Sequence, residues 1–279
     1  MSTPTSTAIE QASNTPKAMV ARYQDSFAAV LPTHITRPET WIRIAQGALK
    51  KGKRTPDGRT VLEVAAANNP GAFLATLLDC ARLGLEPGTE QFYLTARKVK
   101  GQLEILGITG YQGYVEMIFR AGYVSSVVVE CVYANDKFSF SPGRNEIPDH
   151  EIDWDSEDRG ALRLVYAYAR MKAGGYSKVV VLAKADIKKI RSKSPDSNSQ
   201  NSPWTTDEPS MWLKSGVRQL RKWVPTSAEI RGVAQATHTP IIVTDPNPDL
   251  PPIPEPPSEY NNDDDVIEAE FIDDGPEAA

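Results

Sequence analysis

The order of periodic segments predicts an α+β fold, an antiparallel sheet with a β-hairpin, flanked by N- and C-terminal helices. Three helical stretches come first, two alternating strands then meet at Lys100-Gly101, and after one more helix three strands precede a second run of helices. Strands and helices do not alternate as a doubly wound sheet requires. Neither GxxxxGK[ST] nor a strand-linked GxGxxG occurs, so an ATP-driven recombinase or helicase is not expected.

Residues 1–15 are rich in Ser, Thr and Ala with little to bury, which predicts a disordered start. From 16 to 31 the spacing of Met19, Tyr23, Phe27 and Val30 predicts one amphipathic helix stopped by Pro32. Thr36 and Glu39 form a capping-box pattern, with Pro38 in the first turn, for a helix to about Lys50 that buries Ile42, Ala45 and Leu49. KKGKRTPDGR, 50–59, reads as a basic loop. Asn69-Pro70 starts the third helix, whose apolar face is Phe73, Leu74, Leu77, Leu78 and Ala81, and Gly84-Leu85 closes it with a left-handed cap. Strands over 91–99 and 102–109 follow. Arg97, Lys98 and Lys100 crowd their tip, as a solvated turn or a basic finger for phosphates.

Residues 110–122 predict a helix with Val115, Ile118 and Phe119 inward and Gly122 as its cap. A valine-rich strand over 123–133 has a short continuation at 138–140, and 146–158 reads as an acidic loop. Strands 161–171 and 176–183 turn at Ala173-Gly174-Gly175, and Lys184 opens a basic helix carrying Lys188, Lys189 and Arg191. A polar loop, 192–204, leads to a helix over 211–225, and Ser227 caps a last one to about Ala236. Beyond Thr239 the chain becomes PNPDLPPIPEPP, an extended linker, and ends in acidic sequence. The expected organisation is therefore a disordered 1–15, a working core over 16–239, and a Pro-rich linker with an acidic disordered tail over 240–279.

The net charge of −5 hides a segregation of signs. Residues 241–279 hold 12 acidic side chains and no Lys or Arg, leaving 24 acidic against 31 basic residues in positions 1–240, a balance of +7. A basic body points to an anionic partner, nucleic acid above all. Cys80 and Cys131 lie in apolar segments without CxxC spacing, which predicts reduced, buried thiols in a cytoplasmic protein. His34, His150 and His238 show no ligand spacing, so no metal is expected. No apolar run has the length of a membrane span, and the N-terminus lacks the order of a signal peptide.

MWLKSGVRQLRKWVP, 211–225, carries the sharpest functional pattern. Met211, Val217, Leu220 and Val224 make a buried stripe, while Lys214, Arg218, Arg221 and Lys222 emerge on a common flank. Asp207 and Pro209 supply start signals and Pro225 a stop. Such a helix is either a solvated surface element or a phosphate-tracking one. Tyr111, Tyr114, Trp204, Trp212 and Trp223 are the aromatic candidates for stacking on bases, with core packing as the alternative for each.

Several stretches together resemble the RecT family of phage single-strand annealing proteins, over roughly residues 20–232 and in the same order. LPTHITRPETWIRIAQGALKK (31–51) is similar to that family's first helical block, LGLEPG (83–88) to its turn after the third helix, and GYQGYVEMIFRAG (110–122) to its GY[RK]G helix. SPW (202–204) and 211–225 resemble its MAKKTxxRRLxKxLP end. The resemblance implies ATP-independent pairing of complementary strands, with single-stranded DNA and the annealed duplex as ligands. It further implies oligomers that become helical filaments, a partner exonuclease, a host single-strand-binding protein, and a bacterial cytoplasm. No nucleotide is required, and Mg²⁺ acts only through the DNA. The matched DNA-binding positions are Lys214, Arg218, Lys222 and Arg120, with Tyr111 and Gln112 in the GYQG turn. Gln112 and Leu213 stand where the family has basic residues, and Arg221 stands where it has an apolar one.

The chemistry of annealing agrees. Strands must be held by their backbones while base edges stay free to test partners, so Lys and Arg contacts to phosphate should dominate. A protein that merely coats single strands, as a scaffold, is the alternative. A nuclease would need carboxylates such as Asp153, Asp155, Glu157 and Asp158 to bind Mg²⁺, yet these lie in one soft loop. The acidic tail is inert, competes with DNA for the basic face, or docks partners through Val266, Ile267, Phe271 and Ile272. The helices over 16–31 and 226–236 offer apolar faces to core or neighbouring protomers.

Overall fold

The computed structural model describes residues 15–35, 37–99, 101–194, 197–200, 202–225, 250, 251, 253 and 254, which fall in two compact units. The first contains the described residues up to Thr109 together with those at 250–254, and the second those from Gly110 to Pro225. Helices and antiparallel strands make up both, the α+β class that the element order predicts.

In the first unit the predicted opening helix is two, α1 (Pro16–Arg22) and α2 (Gln24–Val30), broken at Tyr23 where ψ is 16°. Hydrogen bonds from Tyr23 N to Met19 O and from Phe27 N to Tyr23 O cross the junction, so one face persists and buries Val20, Tyr23 and Phe27. The next helix, α3 (Pro38–Ala48), starts at Arg37 with no side-chain cap. Thr36 of the predicted capping box lies outside the described residues. Trp41 is buried here, its Nε1 donating to Leu85 O at 2.7 Å and its ring 5.6 Å from that of Phe27.

A helix not expected from the sequence follows, α4 (Val61–Asn68). Its capping box is complete: Glu63 N donates to Thr60 Oγ1 at 3.1 Å, and Thr60 N to Glu63 Oε2 at 2.9 Å. Helix α5 (Pro70–Leu83) has the predicted ends, with Asn69 Oδ1 accepting from Ala72 N and Gly84 at φ 62°. Leu85 N returns to Cys80 O at 3.2 Å, satisfying a carbonyl of the last turn. Strands β1 (Phe92–Val99) and β2 (Gln102–Thr109) pair as the predicted hairpin, Leu94 opposite Gly107, and α4 and α5 pack against β2.

The second unit opens with α6 (Tyr111–Arg120), whose buried residues include Met117 and Ile118. Phe119, expected inward, is exposed, and the buried side of the helix is formed by Gly113, Met117 and Ile118. Strands β3 (Val124–Tyr133), β6 (Leu162–Met171) and β7 (Val180–Ala183) form an antiparallel sheet in the order β3-β6-β7. Residues 176–179, expected in the last strand, contribute only a single bridge between Arg170 and Tyr176. Strand β4 (Lys137–Ser139) does not continue β3 but pairs with β5 (Asp149–Glu151), inside the stretch predicted as an acidic loop. Asp149 and Glu151 face solvent on either side of the inward His150, so alternation hides a strand inside an acidic composition.

Helix α7 (Lys184–Ser192) and the short α8 (Pro203–Thr206) lead to α9 (Glu208–Leu220) and a 3₁₀ turn over Arg221–Trp223. Helix α9 lies across β3, β6 and β7. Leu220, Val224 and Ile118 join Val124, Ala167 and Ala169 in one cluster, and Met211 and Trp212 join Cys131, Val165 and Trp204 in another. The helix predicted over 227–236 lies outside the described residues. Both cysteines are buried as predicted, and burial pushes the Cys131 thiol up to about 12 and that of Cys80 well above its ordinary value. Among the described residues no single helix is long and apolar enough to cross a membrane.

Gly216 sets the spacing between α9 and the sheet. A Cβ there would lie 3.1 Å from Val129 Cγ2 and 3.2 Å from Val165 Cγ2, tighter than ordinary contact. Gly216→Leu is expected to cost about 1–3 kcal/mol in chemical denaturation, the range for overpacking. Unchanged stability would mean that the helix stands further from the sheet than this spacing.

Candidate nucleic-acid interface

Helix α9 begins at Asp207, whose side chain accepts from Ser210 N, with Glu208 in the first turn suiting the positive end of the helix. Met211, Trp212, Ser215, Gly216, Val217 and Leu220 are buried. At about 100° per residue, Lys214, Arg218 and Arg221 share a sector of ~60° that this buried arc leaves uncovered. Lys214 and Arg218 are half-buried and Lys222 is exposed.

Aromatic rings hold Arg221 and Lys178. The Arg221 guanidinium sits 4.6 Å from the centre of the Tyr114 ring on α6, and Lys178 Nζ lies 3.7 Å over Trp223. Lys178 was not among the sequence candidates, since nothing local ties position 178 to position 223. Tyr114 is thus covered on that face by a cation. Trp204 and Trp212 are each 1% exposed, so neither can stack on a base. The Trp204 indole N–H donates to Ser194 Oγ at 3.3 Å, and that of Trp212 to Glu208 Oε1 at 3.2 Å. Both rings pack under α9, a depth that helical spacing does not encode.

Tyr111 and Gln112 are exposed in the first turn of α6, behind Gly110, which provides no side-chain cap, and with no acidic residue in that turn. The amide N–H groups of that turn lie at the positive end of the helix dipole. Helices α6 and α9 are in contact, so this turn belongs to the same unit as the cationic sector. Arg120 closes α6 with its side chain 12% exposed, 3.9 Å from Glu116. On α7, Lys188 and Lys189 are exposed, whereas Arg191 is half-buried and donates to Ser197 O at 2.9 Å. Arg97 and Lys98 belong to the first unit, near the end of β1, and Lys100 lies outside the described residues.

A second polar cluster escaped the sequence reading. Asp136, with 2% of its side chain exposed, takes Arg159 Nη2 at 2.6 Å and Arg159 Nε at 3.1 Å, and the backbone N–H of Tyr133 at 2.8 Å. A carboxylate can only accept, so His150 Nε2, 3.1 Å away, donates to it, and His150 Nδ1 meets the Tyr166 hydroxyl at 3.2 Å. Arg159 also lies 4.3 Å over the Tyr133 ring. Burial pushes the Asp136 carboxyl up, but the hydrogen bonds from Arg159, Tyr133 and His150 outweigh it and leave a pKa of about 2. The cluster pins the β4–β5 hairpin to the sheet. Among the described residues no group of three or more His, Cys, Asp or Glu could hold a metal ion. In the loop of Asp153 and Asp158, these two turn inward on the backbone, accepting from Asp155 N and Gly160 N.

Comparison with known proteins bears directly on this arrangement. Residues 40–248 match the sequence model of the RecT family. Protein RecT of Escherichia coli K12 is 31% identical over 227 residues, 79% of this chain and 78% of that protein. The uncharacterized protein YqaK of Bacillus subtilis 168 is 28% identical over 123 residues, 44% of this chain and 41% of its own.

The depressed Asp136 pKa fixes an acid response. Its contribution to stability is complete above the ordinary value of 3.8 and is lost as pH falls through about 2. It amounts to about 2 kcal/mol. Asp136→Asn should lower stability at neutral pH by about 3 kcal/mol and flatten the acid limb between pH 4 and pH 2. Parallel acid limbs for the two proteins would refute the assignment.

Proposed function

The chain belongs to the RecT family, and from that premise we propose that it binds single-stranded DNA and anneals complementary strands in homologous recombination, without ATP. The observation that carries this reading is the α9 sector. The buried arc of the helix packs on the sheet, and the sector it leaves uncovered carries Lys214, Arg218 and Arg221, extended by Lys222 and Lys178. Rings open to solvent beside these cations are Trp223, under Lys178, and Tyr111. Cations hold phosphates and leave base edges free. That is the requirement of a protein that must test one strand against another rather than read it.

In this reading Lys214, Arg218 and Lys222 contact the backbone directly, and Arg221 is oriented by Tyr114. Gln112 takes the place of a charged residue in the GYQG turn. A phosphate there meets the N–H groups of the first turn of α6, so a neutral donor suffices. Arg120 adds a cation at the other end of α6, Lys188 and Lys189 extend the positive surface, and Arg97, Lys98 and Lys100 give the first unit its own phosphate contacts. The working core is residues 16–239. Protomers assemble into a filament on DNA in the bacterial cytoplasm, beside an exonuclease that exposes single strands and a host single-strand-binding protein. No cofactor takes part, and no bond of the DNA is broken.

Annealing of two complementary oligonucleotides without nucleotide tests this directly. Wild type should accelerate pairing, and Lys214→Ala/Arg218→Ala should abolish most of the acceleration. The slope of log affinity against log salt should become shallower by about 1.4, or ~0.7 for each lost contact. Tight binding that does not accelerate pairing would identify a coating protein instead.

A further inference from the structure

A short piece of the Pro-rich linker is seated on the first unit. The Tyr23 hydroxyl donates to Pro251 O at 2.9 Å. Pro254 lies against the start of α5, its Cγ 3.0 Å from where a Cβ on Gly71 would be. Pro254 also lines a cavity of about 250 Å³ together with Asp79, Arg97, Val99 and Glu104. Arg97 Nη1 is buried, with no hydrogen-bond partner among the described residues. Directly after Pro254 the sequence carries ten acidic side chains over 255–279 and no Lys or Arg.

We propose that Pro251 and Pro254 anchor the start of the acidic tail beside the Arg97 end of the β1–β2 hairpin, where tail carboxylates compete with DNA phosphates for Arg97 and Lys98. Glu255 and Glu259 follow Pro254 by one and five positions in the sequence. Anchoring matters because a single exposed ion pair is weak. Tethering close by raises the effective concentration of the carboxylates to the millimolar range. Pro251, Pro252 and Pro254 reduce the freedom lost on docking. The contest is electrostatic, so salt weakens it. It rests on the DNA-binding reading of the hairpin and adds a threshold to it: short or isolated strands lose to the tail, whereas a long strand engaged by many protomers displaces it.

Binding of a fluorescent oligothymidylate at about 50 mM and about 300 mM salt tests the proposal on four proteins: the full chain, a chain ending at Pro254, full-length Gly71→Leu, and Gly71→Leu ending at Pro254. The chain ending at Pro254 should bind about tenfold tighter than the full chain at low salt and nearly equally at high salt. Gly71→Leu, which pushes Pro254 off α5, should reproduce part of that gain in the full chain and none once the tail is gone. Full-length Pro254→Gly releases the anchor without altering the helix, should Gly71→Leu perturb folding. In the DNA-free full chain, carbodiimide should couple Lys98 to tail carboxylates, and less so in Gly71→Leu. Equal affinity with and without the tail, or no coupling, overturns the proposal. Coupling without DNA binding by any form overturns instead the DNA-binding reading, and the competition with it.

Discussion

The second unit depends on how closely α9 can approach the sheet. With hydrogen in place of a side chain at Gly216, Val129 and Val165 come within about a methyl's reach of the helix backbone. Close approach draws the broad arc from Met211 through Trp212 and Val217 to Leu220 out of water, since a helix pressed onto a sheet buries more than a narrow stripe. A helix so covered has a thin outer strip left, and in this sequence the strip is cationic. The packing constraint and the charged surface are thus one design: polar residues on α9 have one sector in which to stand.

The aromatic groups then act differently from those of a base-stacking site. Tyr114 and Trp223 present faces to Arg221 and Lys178 rather than to solvent alone. A cation resting on a ring is worth roughly 0.5–1 kcal/mol at an exposed site, and it loses less freedom when it meets a phosphate than a swinging side chain would. Trp204 and Trp212 fill the core, while Tyr114 and Trp223 stiffen a positive surface. That suits a ligand whose backbone is uniform and whose bases have to remain available.

Much of this was legible in the chain. The ends of α5, the β1–β2 hairpin, the Asp207 start of α9 and its Met211, Val217, Leu220 and Val224 stripe follow from capping and periodicity, which are local. Thr60 and Glu63 spell a capping box for α4 as well, but its Ala-rich, eight-residue length has too short an apolar period to stand out beside the turn-rich 50–59. What could not be read is depth and distant partnership. Trp204 and Trp212 have the same local spacing whether they cap a surface or fill a core, and only the sheet beneath decides. Asp136, His150 and Arg159 lie 14 and 23 positions apart, and no periodicity announces that β4 and β5 would bring them together. The pairing of Lys178 with Trp223 is of the same kind. Sign and spacing set Lys214, Arg218 and Arg221 apart from the buried stripe of α9; they do not tell the buried Trp204 and Trp212 from the exposed Tyr111 and Trp223, because exposure is a tertiary property.

The two cysteines give the fold a property unrelated to DNA. Each unit contains one thiol, Cys80 in the first and Cys131 in the second, and both are buried and held protonated by their surroundings. A buried thiol reacts when the segment around it opens. The rates at which the two sulfurs are modified therefore time the opening of each unit separately, and the native chain carries its own pair of clocks for asking which unit loosens first.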